Sequence, residues 1–282
     1  MVFYDSVHVY TNSSITSPDG ELFDGPSLYG HSIRWRKAPH HDSLLLPDGS
    51  RVPVGLMSFA APTKQGGTFF VMAAPSFWRN AGIDSKELSL DKLLTGVFLH
   101  EFTHCRQFDG FGAKVNAIEQ SNNFSEVPLS DDIVQGYFKK DSLYEKAFRK
   151  ETELFYRSAT VTSKTEGKKY LEEALAMLKT RQQQSFTGNK KILMPLDDIF
   201  LSMEGLGQYV GLYWLMQPGG GNIPTATAIS GFRRKKNQWS QEEGLALFLA
   251  LAKHGAPGWQ NKQFGTNPTD VVQLLEKAAG SK

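Results

Sequence analysis

The sequence predicts an α+β fold, with an N-terminal strand-and-loop layer ahead of a mostly helical C-terminal body. Two observations carry this. Residues 1–84 set Gly, Pro, Ser and Asp between short β-branched or aromatic runs. From Ser85 the apolar residues recur with the period of a helix, and they do so to the C-terminus. With 282 residues, 40% hydrophobic and 21% charged, the chain has the apolar content of a globular protein. That excludes disorder over most of its length, and collagen-like or coiled-coil architectures. We read 1–84 and 85–282 as two parts of one continuous domain.

The elements follow in order. Residues 2–10 alternate as a strand does. Pro47-Asp48-Gly49 is a turn leading into residues 51–57. Gly66-Gly67 opens a strand at 68–74, ended by Pro75. Residues 89–108 form a long apolar helix with a stop at Asp109-Gly110. Asp131 and Asp132 open a short helix at 130–137. Helices are expected at 141–159, 167–185 and 196–217, and Pro218 with three glycines breaks the last of these. Ser240 and Glu243 read as a capping box for a helix reaching Lys253. Asn267-Pro268 opens a final helix ending near Gly280.

Charge and cysteine content narrow the function classes. Lys+Arg 31 against Asp+Glu 29 leaves a net charge of +2, without the basic excess of a nucleic-acid binder. Cys105 is the single cysteine, so no internal disulfide framework forms; beside His104 but turned about 100° away, it reads as core. No apolar run approaches the ~20 residues of a membrane span. The first twenty residues lack the basic and apolar regions of a signal peptide. The expected compartment is cytoplasmic, or extracellular after leader removal, and the residues leave the oligomeric state open.

The chemistry concentrates at residues 100–104, His-Glu-Phe-Thr-His. His100 and His104 are one helical turn apart and project from one face. Zinc accepts imidazole nitrogen, so the pair supplies two ligands to one ion. Glu101 stands beside the first ligand, where it serves as general base toward an activated water. The flanking side chains are uncharged, and two histidines with a glutamate are costly to bury in an apolar helix without a shared partner.

Over residues 93–108 the sequence resembles the zincin metallopeptidases. The resemblance implies a mixed sheet above the HExxH helix, a zinc cofactor and hydrolysis of a peptide or protein substrate. Its clans differ in the third ligand. The metzincin pattern fails, because Gly110 occupies the third-ligand position and Gln107 the earlier glycine; the neighbouring acid, Asp109, fits a helix-ending turn. Gluzincins take a Glu from a later helix, and two acids qualify. The face 200, 204, 207, 211, 214 reads Phe, Glu, Gly, Gly, Trp, leaving Glu204 as one charge in an apolar, glycine-rich stripe. Gly205, Gly207 and Gly211 would let this helix approach the HEFTH helix. The run from Glu204 to Tyr209 is similar to an EGxAxY-type segment of gluzincin-like families, although Glu204 lies 100 residues after His104, a long spacing for them. The face 144, 148, 151, 155, 159 likewise isolates Glu151, whose alternative is a buried ion pair.

Tyr209 is the candidate donor to the developing oxyanion, ahead of Tyr213, Tyr156 and His254. Residues 68–74 are the candidate edge strand for extended substrate. The basic run 233–236 reads as a solvated loop, and His40-His41 as a surface loop. The reading is therefore a zinc-dependent metallopeptidase of gluzincin type. The competing reading is a non-catalytic, partner-binding protein whose zinc site is structural or a relic, closed by a fourth protein ligand such as Glu151.

Overall fold

A computed structural model describes residues 1–28 and 30–280. They fall into two compact units, one within residues 1–108 and 214–231, the other within residues 109–213 and 232–280.

The first unit holds the strands β1 (Val2–Tyr4), β2 (His8–Thr11), β3 (Glu21–Leu28), β4 (His31–Pro39), β5 (Ser43–Leu45), β6 (Arg51–Pro53), β7 (Ser58–Pro62) and β8 (Thr68–Ala73). Six make one sheet in the order β3-β4-β2-β1-β8-β7, and β5 pairs with β6. The sheet is mixed: β1 and β8 run parallel, and its other pairs are antiparallel. The alternation over residues 2–10 is two strands rather than one. The Asp5 carboxylate accepts from the amides of Val7 (2.8 Å) and His8 (2.7 Å), which folds the chain back on itself.

The strand at 68–74 is interior, not an edge. Its unbroken apolar run is the mark of burial on both faces. Phe69, Val71 and Ala73 pack with Leu44 and Leu46 on one side. Phe70 and Met72 pack on the other side against Leu90, Leu94 and Val97. Those three belong to α2 (Leu90–Gln107), which follows the short α1 (Pro75–Asn80). Each fully buried side chain of this kind stabilises by roughly 1.5–3 kcal/mol, so β8 fixes α2 beneath the sheet. The terminal strand beside it is β7.

Asp109-Gly110 does not end the helical path. The chain runs through a π-helical turn, Phe108–Gly112, into α3 (Ala113–Ser121). Gly110 serves a close approach instead: a Cβ there would lie 2.3 Å from the Gly265 carbonyl oxygen.

The remaining helices are α4 (Ile133–Phe138), α5 (Ser142–Thr160), α6 (Lys164–Ser185), α7 (Leu193–Met216), α8 (Thr225–Phe232), α9 (Trp239–His254) and α10 (Val271–Gly280). In the second unit α5 packs along α6 and α9. Asp141 caps α5, accepting from the amides of Leu143 and Tyr144. A ladder of parallel rings fills the core: Phe138 on Tyr144 (4.1 Å), Tyr144 on Trp239 (6.0 Å) and Trp239 on Phe148 (4.6 Å). The glycine in α7 next to Glu204 meets a glycine of α9, since a Cβ on Gly205 would lie 2.5 Å from Gly244 backbone. Gly205 thus serves the approach of α7 to α9.

Two caps differ from the sequence reading. Helix α9 begins at Trp239, after Gln238 in the left-handed region (φ 57°), so Ser240 lies inside it. The Ser240 amide and hydroxyl both donate to Asp132 at 3.0 Å, a partner 108 residues away. The last helix starts after Asp270, whose carboxylate accepts from the Gln273 amide at 2.8 Å, rather than at Asn267-Pro268.

Candidate metal centre

The local sequence of α2 sets the site. Leu90, Leu94 and Val97 face the sheet, and the same helix carries His100, Glu101 and His104 inward, at 6%, 5% and 7% exposure. Their one-turn spacing brings the imidazoles edge to face, centroids 4.4 Å apart. His100 Nε2 and His104 Nε2 point at each other across 2.8 Å. Gln107, one turn beyond His104, accepts from His104 Nδ1 at 3.0 Å. This keeps the proton on His104 Nδ1, directed at the Gln107 oxygen, and leaves Nε2 with its lone pair for a metal.

Glu204, 6% exposed on α7, completes the cluster. One donor atom each from His100, His104 and Glu204 lie within 4.8 Å of one another. Ligands ~2.1 Å from a tetrahedral zinc stand ~3.4 Å apart, between the 2.8 Å of the imidazole pair and the 4.8 Å limit of the trio. Two imidazoles and a carboxylate are also the donor types of a borderline divalent cation. The residues fit a metal, and the arrangement matches the gluzincin-like HExxH motif with a downstream Glu.

Residues outside that motif hold Glu204. Gln241 Nε2 donates to Glu204 Oε2 at 3.0 Å. Gln241 Oε1 accepts from Gln208 Nε2 and from Arg234 Nε (2.9 Å). Two donors at one end of the amide fix its other end as the donor toward Glu204. Gln208 was missed, although it lies one turn from Glu204 on α7, a spacing that could have found it. Gln241 and Arg234 were not, because their place depends on α9 packing against α7 at Gly205 and Gly244.

The second acid stripe leads elsewhere. Glu151 is fully buried and pairs with Arg181 Nε. Arg181 also meets Glu243 (3.1 Å), Asp197 (3.5 Å) and the Tyr144 hydroxyl. Burial raises the Glu151 carboxyl, and the Arg181 charge opposes it. Glu151 is therefore spent on an ion pair and does not close the metal site as a third or fourth ligand.

The tyrosines and His254 fall as follows. Tyr209 packs among Tyr213, Phe248 and Trp259, with centroids 5.7–6.2 Å away, and burial raises its hydroxyl pKa. Tyr213 is exposed. The Tyr156 hydroxyl donates to the Glu242 carbonyl at 3.1 Å, and His254 Nε2 sits 3.2 Å from the Ser158 carbonyl. Cys105 is half-buried beside Phe70 and Leu94, and burial raises its thiol. His40 Nε2 meets the Asp5 carbonyl at 2.8 Å. The basic run 233–236 is not a solvated loop throughout: both arginines turn inward, and the lysines stay exposed.

Comparison with protein-family models, with curated proteins and with solved structures gave no match. The functional reading therefore stands on the site. Among the described residues, no helix is long and apolar enough to cross a membrane.

Proposed function

We propose that this chain is a zinc-dependent metallopeptidase of gluzincin type. The observation that carries the reading is the buried convergence of His100, His104 and Glu204, with Glu101 next to the first ligand. His100, His104 and Glu204 hold the zinc. Zinc supplies Lewis acidity, which makes water a nucleophile near neutral pH and polarises a carbonyl. Glu101 takes the proton of the attacking water and passes it to the departing amine. Gln107 keeps His104 in the tautomer a ligand needs. Tyr209 is assigned the donor role toward the carbonyl oxygen as negative charge builds there.

Extended substrate pairs with the terminal strand β7, which takes the place first given to residues 68–74. β7 is antiparallel to β8 and packs against α2, so main-chain pairing there aligns a peptide with the helix that bears Glu101. Three protein ligands also leave a coordination position for chemistry, where a structural site takes four. With Glu151 held by Arg181, the structural-zinc alternative loses the fourth ligand named for it.

The test is Glu101→Gln on the zinc-loaded protein against a peptide library. The expected outcome is unchanged zinc content with turnover reduced about 10²–10⁴-fold. Equal turnover in both proteins would refute the assignment of Glu101, and cleavage by neither would return the chain to the partner-binding reading.

A further inference from the structure

The basic run 233–236 separates into two roles. Lys235 and Lys236 are exposed, whereas Arg233 and Arg234 are partly buried. Arg233 is saturated. Its guanidinium lies 3.8 Å over the Tyr156 ring and pairs with Glu242 (2.7 Å) and Glu153 (3.2 Å). The other deeply placed guanidinium, Arg181, is saturated too, with three carboxylates around it.

Arg234 differs. Its Nε donates to a neutral partner, Gln241 Oε1. Among the described residues, its two terminal nitrogens make no hydrogen bond, and the carboxylates whose charges reach it, Glu204 and Glu242, form no ion pair with it. The nearby Glu242 carboxylate accepts the main-chain amides of Arg234 and Lys235 and is already paired with Arg233. One side-chain amide, that of Gln241, separates Arg234 from the Glu204 carboxylate. A divalent cation on His100, His104 and Glu204 takes up the Glu204 charge. The acid then left near Arg234 is Glu242, which it shares with Arg233, so a ligand anion would be favoured at its open terminal nitrogens.

We propose that Arg234 is the carboxylate receptor of the site, its terminal N–H groups binding a carboxylate carried by the peptide substrate while Gln241 holds the guanidinium in register. The inference rests on the peptidase reading and adds a substrate class to it. A guanidinium with both terminal nitrogens open presents parallel donors matched to a carboxylate. The carboxylate has two sources with the same chemistry, the C-terminus of the substrate and an acidic side chain near the scissile bond.

The experiment titrates zinc-loaded Glu101→Gln protein, in which turnover is suppressed, with two matched pairs of peptides by calorimetry. One pair is N-acetyl-Ala-Phe-Leu-Ala as the free acid and as the C-terminal amide. The other is N-acetyl-Ala-Phe-Asp-Ala-amide and its Asn counterpart. The expected result is tighter binding of the acid in at least one pair, by about tenfold or more; which pair responds names the source of the carboxylate. Adding Arg234→Met should bring the ratio near unity with zinc content unchanged, and Arg234→Lys should retain part of it. Equal affinities within both pairs, no binding of either acid, or a preference that survives Arg234→Met would overturn the proposal. The parent ratio and the Lys variant decide the matter even where Arg234→Met fails to fold. The peptidase reading fails separately: a wild-type protein that shows the preference but cleaves no peptide loses that reading and keeps the receptor. Cleavage without the preference does the reverse.

Discussion

Glu151 on α5 and Glu204 on α7 are the same kind of residue until the chain folds. Each is the single acid in an apolar stripe of a long helix, and each ends almost fully buried, at 0% and 6% exposure. Their partners divide them. Glu151 meets Arg181, a guanidinium that also meets Asp197, Glu243 and Tyr144. Its cluster is closed by the protein's own cation. Glu204 accepts from a neutral amide, Gln241, and offers a carboxylate oxygen within 4.8 Å of a ligand atom of each of His100 and His104, a donor set that gathers lone pairs where a metal ion fits. A buried acid stripe in a sequence thus signals that a partner exists, and tertiary structure decides whether that partner is a side chain or an ion.

The comparison breaks first at Arg181. Replacing it with Met leaves three buried carboxyls without their cation, and the expected loss is about 3–5 kcal/mol of stability. Urea unfolding of the folded fraction measures it, and zinc content per folded chain should stay constant. A variant that lost its zinc while keeping its stability would place Arg181 in the metal site and erase the contrast.

A smaller effect sharpens the other side. Gly205→Ala sets a Cβ 2.5 Å from the backbone of Gly244. Overpacking of this kind lowers stability by about 1–3 kcal/mol. Because α9 carries Gln241, the shift should also weaken zinc binding, which chelator competition reads; unchanged affinity beside reduced stability would detach Glu204 from its α9 support. The smallest structural change is Tyr209→Phe. Lower turnover with zinc retained supports a donor role, and full activity leaves Tyr209 as a packing residue among Phe248 and Trp259.

Much of this was legible from local pattern. The switch at Ser85 from strand to helix period, the helix bearing His100, Glu101 and His104, and the inward acid at Glu204 all follow from spacing that survives folding. What failed depended on distant partners. The unbroken apolar run at 68–74 gave a strand but not its position in the sheet; packing on both faces makes it interior. The Ser240 and Glu243 spacing fits a capping box, yet Asp132 claims the serine and Arg181 the glutamate. Asp109-Gly110 resembles a helix stop, but Gly110 is small because the 265–268 segment passes over it. The basic run 233–236 looked solvated because its inward arginines find their partners on α5 and α9.

The central claim is that Glu204, and not Glu151, completes a zinc site with His100 and His104. Zinc content by mass spectrometry and zinc affinity by chelator competition, on wild type, Glu204→Gln and Glu151→Gln, test it directly. The account predicts about one zinc per chain in wild type and Glu151→Gln, and an affinity at least about tenfold weaker in Glu204→Gln. A wild-type protein without zinc after reconstitution, or a Glu204→Gln protein that binds it unchanged, would contradict the account.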